Sequence, residues 1–302
     1  MEVDVRRPRG RAGTLACLVA YTPTSPLPLP WWAALLGTQR AALSAETGEC
    51  AMDLTGKTAL VTGGSGAIGG VIARALAAAG ADVALSYVGH LAGAAATADA
   101  VRAAGRRGVT VQLDQRDPVS IHTAVEQVVR ACGRVDILVN NAAWNIGIPF
   151  KDLDALTAEL WDQVLETNLR GPYLLARALA PHLSAHGAGR IVNIASVGGL
   201  YPASSSIAYS ASKAGLIHLT RCLAVALAPA VTVNCIAPGL VEGTRMAHRL
   251  PDEIVQIERS QAVLGRVATA QDIAAQVVTF CRAESITGQV LVIDGGTPGG
   301  MH

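Results

Sequence analysis

The stretch TALVTGGSGAIGG, Thr58 to Gly70, joins a short apolar run to a glycine-rich turn, and an Ala/Leu-rich segment beginning Val71-Ile72-Ala73-Arg74 comes directly after it. A run this short and apolar reads as a buried strand, and the Ala/Leu-rich segment has the period of a helix. Glycines at such a strand-to-helix turn let the backbone bend sharply and come close to a pyrophosphate, whose charge then sits at the positive end of the helix. Tight packing of the helix on the strand calls for the same glycines, so the turn alone leaves both readings open. A third reading is a hydrolase nucleophile elbow, GxSxG around Ser65, with Ala67 in place of the last glycine. That elbow also joins a strand to a helix. Against it, Ser65 lies just after the first strand, and no later His is flanked by an acid in a recognisable pattern.

Outward from this turn, β-branched apolar runs alternate with longer stretches of helical period, the pattern of successive βα units on a parallel sheet. The runs read as strands are Thr58 to Thr62, Val83 to Tyr87, Val109 to Leu113, Asp136 to Asn140, Arg190 to Ala195, Val231 to Cys235 and Gln289 to Ile293. They predict an α/β fold, one Rossmann-type doubly wound parallel sheet of seven strands, with ligands at the carboxyl ends of the strands. Helix punctuation agrees: Asp117 caps a helix with Pro118 in its first turn, and Gly133 stands just past Val119 to Cys132. One sheet needs one domain, so residues 52–302 are assigned to a single catalytic domain.

Residues 1–51 read differently. They hold Pro8, Pro23, Pro26, Pro28 and Pro30 of the 14 prolines and an Arg cluster at Arg6, Arg7, Arg9 and Arg11. No period of 2 or 3.6 persists there. The segment is expected to be a disordered or non-native extension, with Met52 as the natural start; an Arg-rich transit peptide is the alternative, opposed by Glu2 and Asp4.

Composition narrows the function. Hydrophobic residues make up 51% and charged residues 16% of the 302, with a net charge of +1, so no electrostatic attraction for nucleic acid or an anionic membrane is expected. No apolar run reaches the length of a membrane helix. The 6 cysteines are scattered with no CxxC pair, which points to free thiols in a reducing, cytoplasmic compartment.

The chemistry-bearing residues lie later in the chain. Tyr209 and Lys213 in Tyr209-Ser210-Ala211-Ser212-Lys213 are four apart and share a helical face. A neighbouring ammonium favours a phenolate, which would bring a tyrosine closer to acid/base work at neutral pH. Ser196 comes next after the strand that ends at Ala195, and Asn168 interrupts an otherwise apolar helix, where a polar side chain is costly unless partnered. His182 and His186 also share a helical face, but no acid or cysteine joins them, and no metal site is assigned.

Taken together, residues 53–302 strongly resemble the short-chain dehydrogenase/reductase family, in its subgroup of about 250 residues. The matching pieces are the turn at Thr62 to Gly69, Asp114, NNAA at Asn140 to Ala143, Asn168, Ser196, YSASK at Tyr209 to Lys213, Pro238-Gly239, and the Ile286 to Gly296 ending. The resemblance implies an oxidoreductase that interconverts a ketone and a secondary alcohol with a nicotinamide cofactor. It implies that Tyr209 is the general acid/base, that Ser196 holds the carbonyl oxygen, that Lys213 binds the nicotinamide ribose and lowers the Tyr209 pKa, and that Asn168 positions a water. For the cofactor it implies Gly63, Ser65, Gly66, Ile68, Gly69, Tyr87, Asp114, Asn141, Ala142, Tyr209, Lys213, Pro238, Gly239 and Val241. Ala67 and Ala143 depart from the family's usual glycines, each adding one methyl near the cofactor.

The second strand ends Ser86-Tyr87-Val88-Gly89-His90, without the acid that many NAD-preferring relatives use on the adenosine ribose. NADP(H) is therefore favoured, with NAD(H) as the alternative. By the same resemblance, Trp144, Val197, Tyr201 and the segment Val241 to Leu250 line a pocket for a small-molecule carbonyl or alcohol, and the chain forms a homotetramer. The nearest likeness is to 3-oxoacyl-thioester reductases, with sugar and other alcohol dehydrogenases as alternatives. A non-catalytic dinucleotide sensor is a further alternative, disfavoured because Ser196, Tyr209 and Lys213 are all present.

Overall fold

The computed structural model describes residues 51–202 and 205–298. The extension expected at the N-terminus, with Cys17 and Cys50, falls outside them apart from Ala51. Ala51 forms an antiparallel bridge with Ala283, and the Met52 N–H donates to the Arg282 carbonyl at 2.8 Å.

Strand β1 (Thr58–Val61) is buried along its whole length and runs through the glycine turn into helix α1 (Ala67–Ala78). Next come β2 (Asp82–Tyr87), α2 (Leu91–Ala103), β3 (Gly108–Gln112), α3 (Pro118–Cys132) and β4 (Ile137–Asn140). The second half runs α4 (Ala158–Leu165), a π turn (Glu166–Arg170), α5 (Gly171–Ser184), β5 (Gly189–Ile194), a 3-10 turn (Val197–Gly199) and α6 (Ile207–Leu227). It closes with β6 (Val231–Pro238), α7 (Asp252–Gln261), α8 (Ala270–Arg282) and β7 (Val290–Ile293). The sheet has 7 strands in the order β3-β2-β1-β4-β5-β6-β7, all parallel.

The two-residue period of each strand sorts its side chains onto two cores. Ala59 and Val61 of β1 join Val83, Leu85, Ile137 and Val139 under α1 and α8, where Ile72, Leu76, Ile273 and Val277 close one face. Leu60 points the other way, to Leu138, Ile191 and Val233, beneath Ile121 and Val128 of α3 and Leu175 and Leu179 of α5. The chain adds β2 and β3 on one side of β1 and then turns back to add β4 on the other, so the crevice at the carboxyl ends of β1 and β4 is the topological switch point where ligands of such sheets bind.

Local signals behave as their chemistry requires. The Asp117 side chain accepts from the Val119 N–H at 2.9 Å, Pro118 opens α3, and Gly133 closes it at φ 81°. Three readings change. Strand β6 continues beyond Cys235 to Pro238, where its pairing with Ile293 ends; a proline at the last position gives up no ladder donor that the strand needs. The helix around Asn168 is continuous but carries a π turn, which divides it into α4 and α5. Pro172 has no N–H to return to the Asn168 carbonyl four residues back, and the Gly171 N–H reaches Glu166 O five residues back instead. Finally, α5 ends at Ser184, so His186 lies beyond it and does not share a helical face with His182.

Candidate active site

The glycine turn is shaped by contacts that exclude side chains. Gly63 has φ +67°, and a Cβ on Gly69 would stand 2.4 Å from the Gly63 carbonyl oxygen. Gly66 precedes α1 without a side-chain cap, and no acid lies in the first turn. The N–H groups that open α1 are therefore directed at the crevice, which fits a pyrophosphate. The turn is bound to its neighbours on both sides. From β2, the Ser86 hydroxyl accepts from the Gly63 N–H at 3.2 Å. From the β4 side, Thr62 Oγ1 accepts from the N–H groups of Asn141 and Ala142, both at 2.9 Å, and Asn141 Nδ2 returns to the Thr62 carbonyl at 2.8 Å.

Across the switch point, β5 ends at Ile194 and presents Ser196, whose hydroxyl accepts from the Gly198 N–H at 3.1 Å. Helix α6 starts beside it because Ser206 caps it, accepting from the Tyr209 N–H at 3.2 Å. Tyr209 thereby falls in the first turn and Lys213 one turn later. Both side chains are buried, and Lys213 Nζ lies 5.6 Å from the centre of the Tyr209 ring. Lys213 donates to the Ile194 carbonyl at 2.8 Å. The 3-10 turn reaches close enough that a Cβ on Gly199 would meet the Lys213 carbonyl carbon at 2.6 Å.

Burial dominates the electrostatics. It pushes the Tyr209 hydroxyl up to about 12, opposed by the hydrogen bond of Ser196, and it pulls Lys213 down to about 8, opposed by nearby Cys235. Desolvation in this shared apolar enclosure is the leading cause of both shifts.

Asn168 is placed by the π turn with its amide fully engaged. It accepts from the Trp144 N–H at 2.8 Å, donates to the Trp144 carbonyl at 2.9 Å, and donates to Ser212 Oγ at 3.1 Å. Ser212 in turn donates to the Tyr209 carbonyl at 2.7 Å. The cost of this buried amide is thus met by partners far apart in sequence. Trp144 packs with Val164, Ala208 and Tyr209, at the edge of the site.

The remaining residues flank the same crevice. Tyr87 ends β2, and Asp114 lies just past β3 with its carboxylate held by Arg116 Nη2 at 2.7 Å, which keeps its pKa below the ordinary carboxylate value. Pro238 ends β6, the Gly239 N–H donates to Ile293 O at 2.8 Å, and Val241 is buried and bridges to Ala268. Gly63, Ser65 and Ile68 are partly exposed, and Ala67 and Ala143 are both exposed, so their extra methyls meet open space rather than core. Sequence reasoning missed Gln115, Arg116, Ser206 and Ser212. Of these only Ser206, three residues before Tyr209 at the helix start, carried a local signal.

Residues 57–254 match the family model described as short chain dehydrogenase. The chain belongs to this family. This short-chain dehydrogenase is 38% identical to the granaticin polyketide synthase putative ketoacyl reductase 2 of Streptomyces violaceoruber, over 79% of the chain and 94% of that protein. A short chain dehydrogenase from Burkholderia cenocepacia J2315 in complex with NADP superimposes with a TM-score of 0.73 at 38% identity, covering 82% of this chain and 99% of that one. A 7α-hydroxysteroid dehydrogenase complexed with NADH and 7-oxo glycochenodeoxycholic acid superimposes with a TM-score of 0.76 at 29% identity, covering 81% and 95%. As a member of the family, the dehydrogenase is an NAD(P)-dependent oxidoreductase acting on CH–OH groups. Among the described residues, no helix is long and apolar enough to cross a membrane.

Proposed function

We propose that this dehydrogenase interconverts a ketone and a secondary alcohol with NADP(H), and that its substrate is a 3-oxoacyl thioester or a close analogue. The observation that carries the reading is the burial of Tyr209 and Lys213 one turn apart, beside Ser196, across the switch point from the uncapped N-terminus of α1. When bound, the cofactor supplies the hydride. Tyr209 donates its phenolic proton to the carbonyl oxygen, and its raised pKa keeps that proton available across the neutral range. Ser196 hydrogen-bonds the same oxygen and holds it in line. Lys213 presents its ammonium beside the phenol, where a sugar hydroxyl of the cofactor can take the same charge. The Asn168 side-chain amide is committed to Trp144 and Ser212, so its backbone carbonyl, to which Pro172 has no N–H to donate, is the group with capacity to hold a water toward Lys213.

The lean toward NADP(H) comes from the end of β2, where Tyr87, Val88, Gly89 and His90 include no carboxylate to repel a 2′-phosphate. The relative solved with NADP supports it, while the NADH-bound steroid dehydrogenase keeps NAD(H) and other alcohol substrates as the alternative. Free thiols favour a reducing, cytoplasmic setting: Cys235 and Cys281 are buried, although Cys222 is exposed. A homotetramer would bury the face of α4, α5 and α6 that carries Leu165, Leu169, Tyr173 and Leu219. The test is NADPH and NADH oxidation, monitored by absorbance, over a panel of ketones that includes a 3-oxoacyl thioester. A clear NADH preference overturns the cofactor assignment, and turnover only of sugars or steroids overturns the thioester.

A further inference from the structure

Gln115 is a costly residue for its position. It stands next to Asp114 past the carboxyl end of β3, is only 4% exposed, and its Nε2 donates to two carbonyls on different segments, Ala142 at 3.1 Å and Thr167 at 2.6 Å. Its Oε1 is buried and has no partner among the described residues. Burying an amide with an unmatched acceptor is unfavourable, and an apolar side chain of the same length would fill the space without that cost. What the glutamine contributes is therefore its pair of donors.

Both acceptors matter to the site. Ala142 belongs to the loop 141–144 that leaves the carboxyl end of β4, and Thr167 precedes Asn168 in the π turn. That loop is already tied to the glycine turn through Thr62 and to the π turn through Asn168. Gln115 adds a tie from the β3 side that reaches both the loop and the π turn. The fit is close, since a Cβ on Gly171, directly after the π turn, would stand 2.8 Å from Gln115 Cγ. Strand order gives the tie a direction. With the pyrophosphate at the end of β1 and the reacting carbon beside Tyr209 after β5, the nicotinamide half must pass over the end of β4, and the adenosine half goes toward β2 and β3.

We propose that Gln115 is a positioning residue for the nicotinamide half of the cofactor, setting the loop 141–144 and the Asn168-bearing π turn at a fixed spacing through its two donated hydrogen bonds. The proposal rests on the cofactor reading above. It is tested with Gln115→Met, which keeps the length and removes both donors and the orphaned acceptor, and with Gln115→Leu as a second apolar filling should the Met variant fold poorly. Binding is titrated with the dinucleotide that the wild-type protein prefers and with the matching ADP-ribose fragment, which lacks nicotinamide; melting temperature is read in parallel. The expected result is a Kd for the dinucleotide raised about tenfold with the fragment's Kd changed by less than about twofold, and kcat/KM lowered with the dinucleotide affinity. Equal weakening of dinucleotide and fragment overturns the proposal, as does a lowered melting temperature with both affinities unchanged. If the wild-type protein binds neither NADPH nor NADH, the cofactor reading itself fails and takes the role of Gln115 with it.

Discussion

Tyr209 and Lys213 stand one turn apart on α6, and burial drives both toward their neutral forms. For the tyrosine this would keep in place the proton that the proposed carbonyl reduction needs. Tyr209→Phe should lower kcat by about 10²- to 10⁴-fold, the usual worth of a positioned general acid, while the Kd for cofactor stays within about twofold. Initial rates of NADPH oxidation and fluorescence titration measure the two, and near-normal turnover would remove Tyr209 from the chemistry. For the lysine, the lowered value of about 8 makes its charge titratable in an accessible range. Below pH 8 the ammonium is present to bind cofactor. As pH rises through 8 it is lost, so the Kd for reduced cofactor should rise above pH 8, approaching tenfold per unit if the charge is required. A Kd flat from pH 7 to 9.5 would show that cofactor binding does not depend on the Lys213 charge.

The elements that aim these residues are held by their ends. Helix α1 begins without a side-chain cap at Gly66, helix α6 begins on Ser206, and the π turn begins α5 at a proline-disrupted position. The α1 turn is the least forgiving, because Gly69 lies against the Gly63 carbonyl and Asn141 Nδ2, which its Cβ would meet at 2.4 and 2.7 Å. Gly69→Ala must push the turn away from the loop 141–144. It should raise KM for the dinucleotide about tenfold or more with a smaller change in kcat, since the displaced N–H groups would hold the pyrophosphate rather than the carbonyl. Steady-state kinetics with the dinucleotide varied measures this, and an unchanged KM would mean that the turn does not carry the phosphates. By contrast, the Asp117 cap of α3 lies on an exposed helix start, and its loss should cost about 1 kcal/mol of stability.

At the scale of the molecule, the sheet is closed on both faces by its own helices, yet the outer side of α4 to α6 keeps apolar groups in the open. Tyr173 is 43% and Trp161 38% exposed, beside the groove lined by Leu165, Leu169 and Leu219. An apolar surface of this kind favours self-association. Sedimentation should find the protein as a tetramer, and Tyr173→Asp should lower the assembled mass while leaving the circular dichroism of the fold unchanged. A monomeric wild-type protein would refute the assembly, and an undiminished mass in the variant would place the interface elsewhere.

Much of this molecule was legible in its sequence because the information is local. Short apolar runs and helical periods mark the strands and the helices between them, Asp117, Pro118 and Gly133 mark a helix at both ends, and a four-residue spacing puts Tyr209 and Lys213 on one face. Periodicity and caps act within a turn or two of chain, so they survive without any knowledge of the fold. Only the tertiary structure decided what long-range burial and pairing control. Gln115 meets partners 27 and 52 residues away, and Asn168 meets partners 24 and 44 away, so neither set can be read from neighbours. The direction of the Tyr209 shift is of the same kind. The burial that raises the pKa is supplied by segments that meet only when the chain is folded.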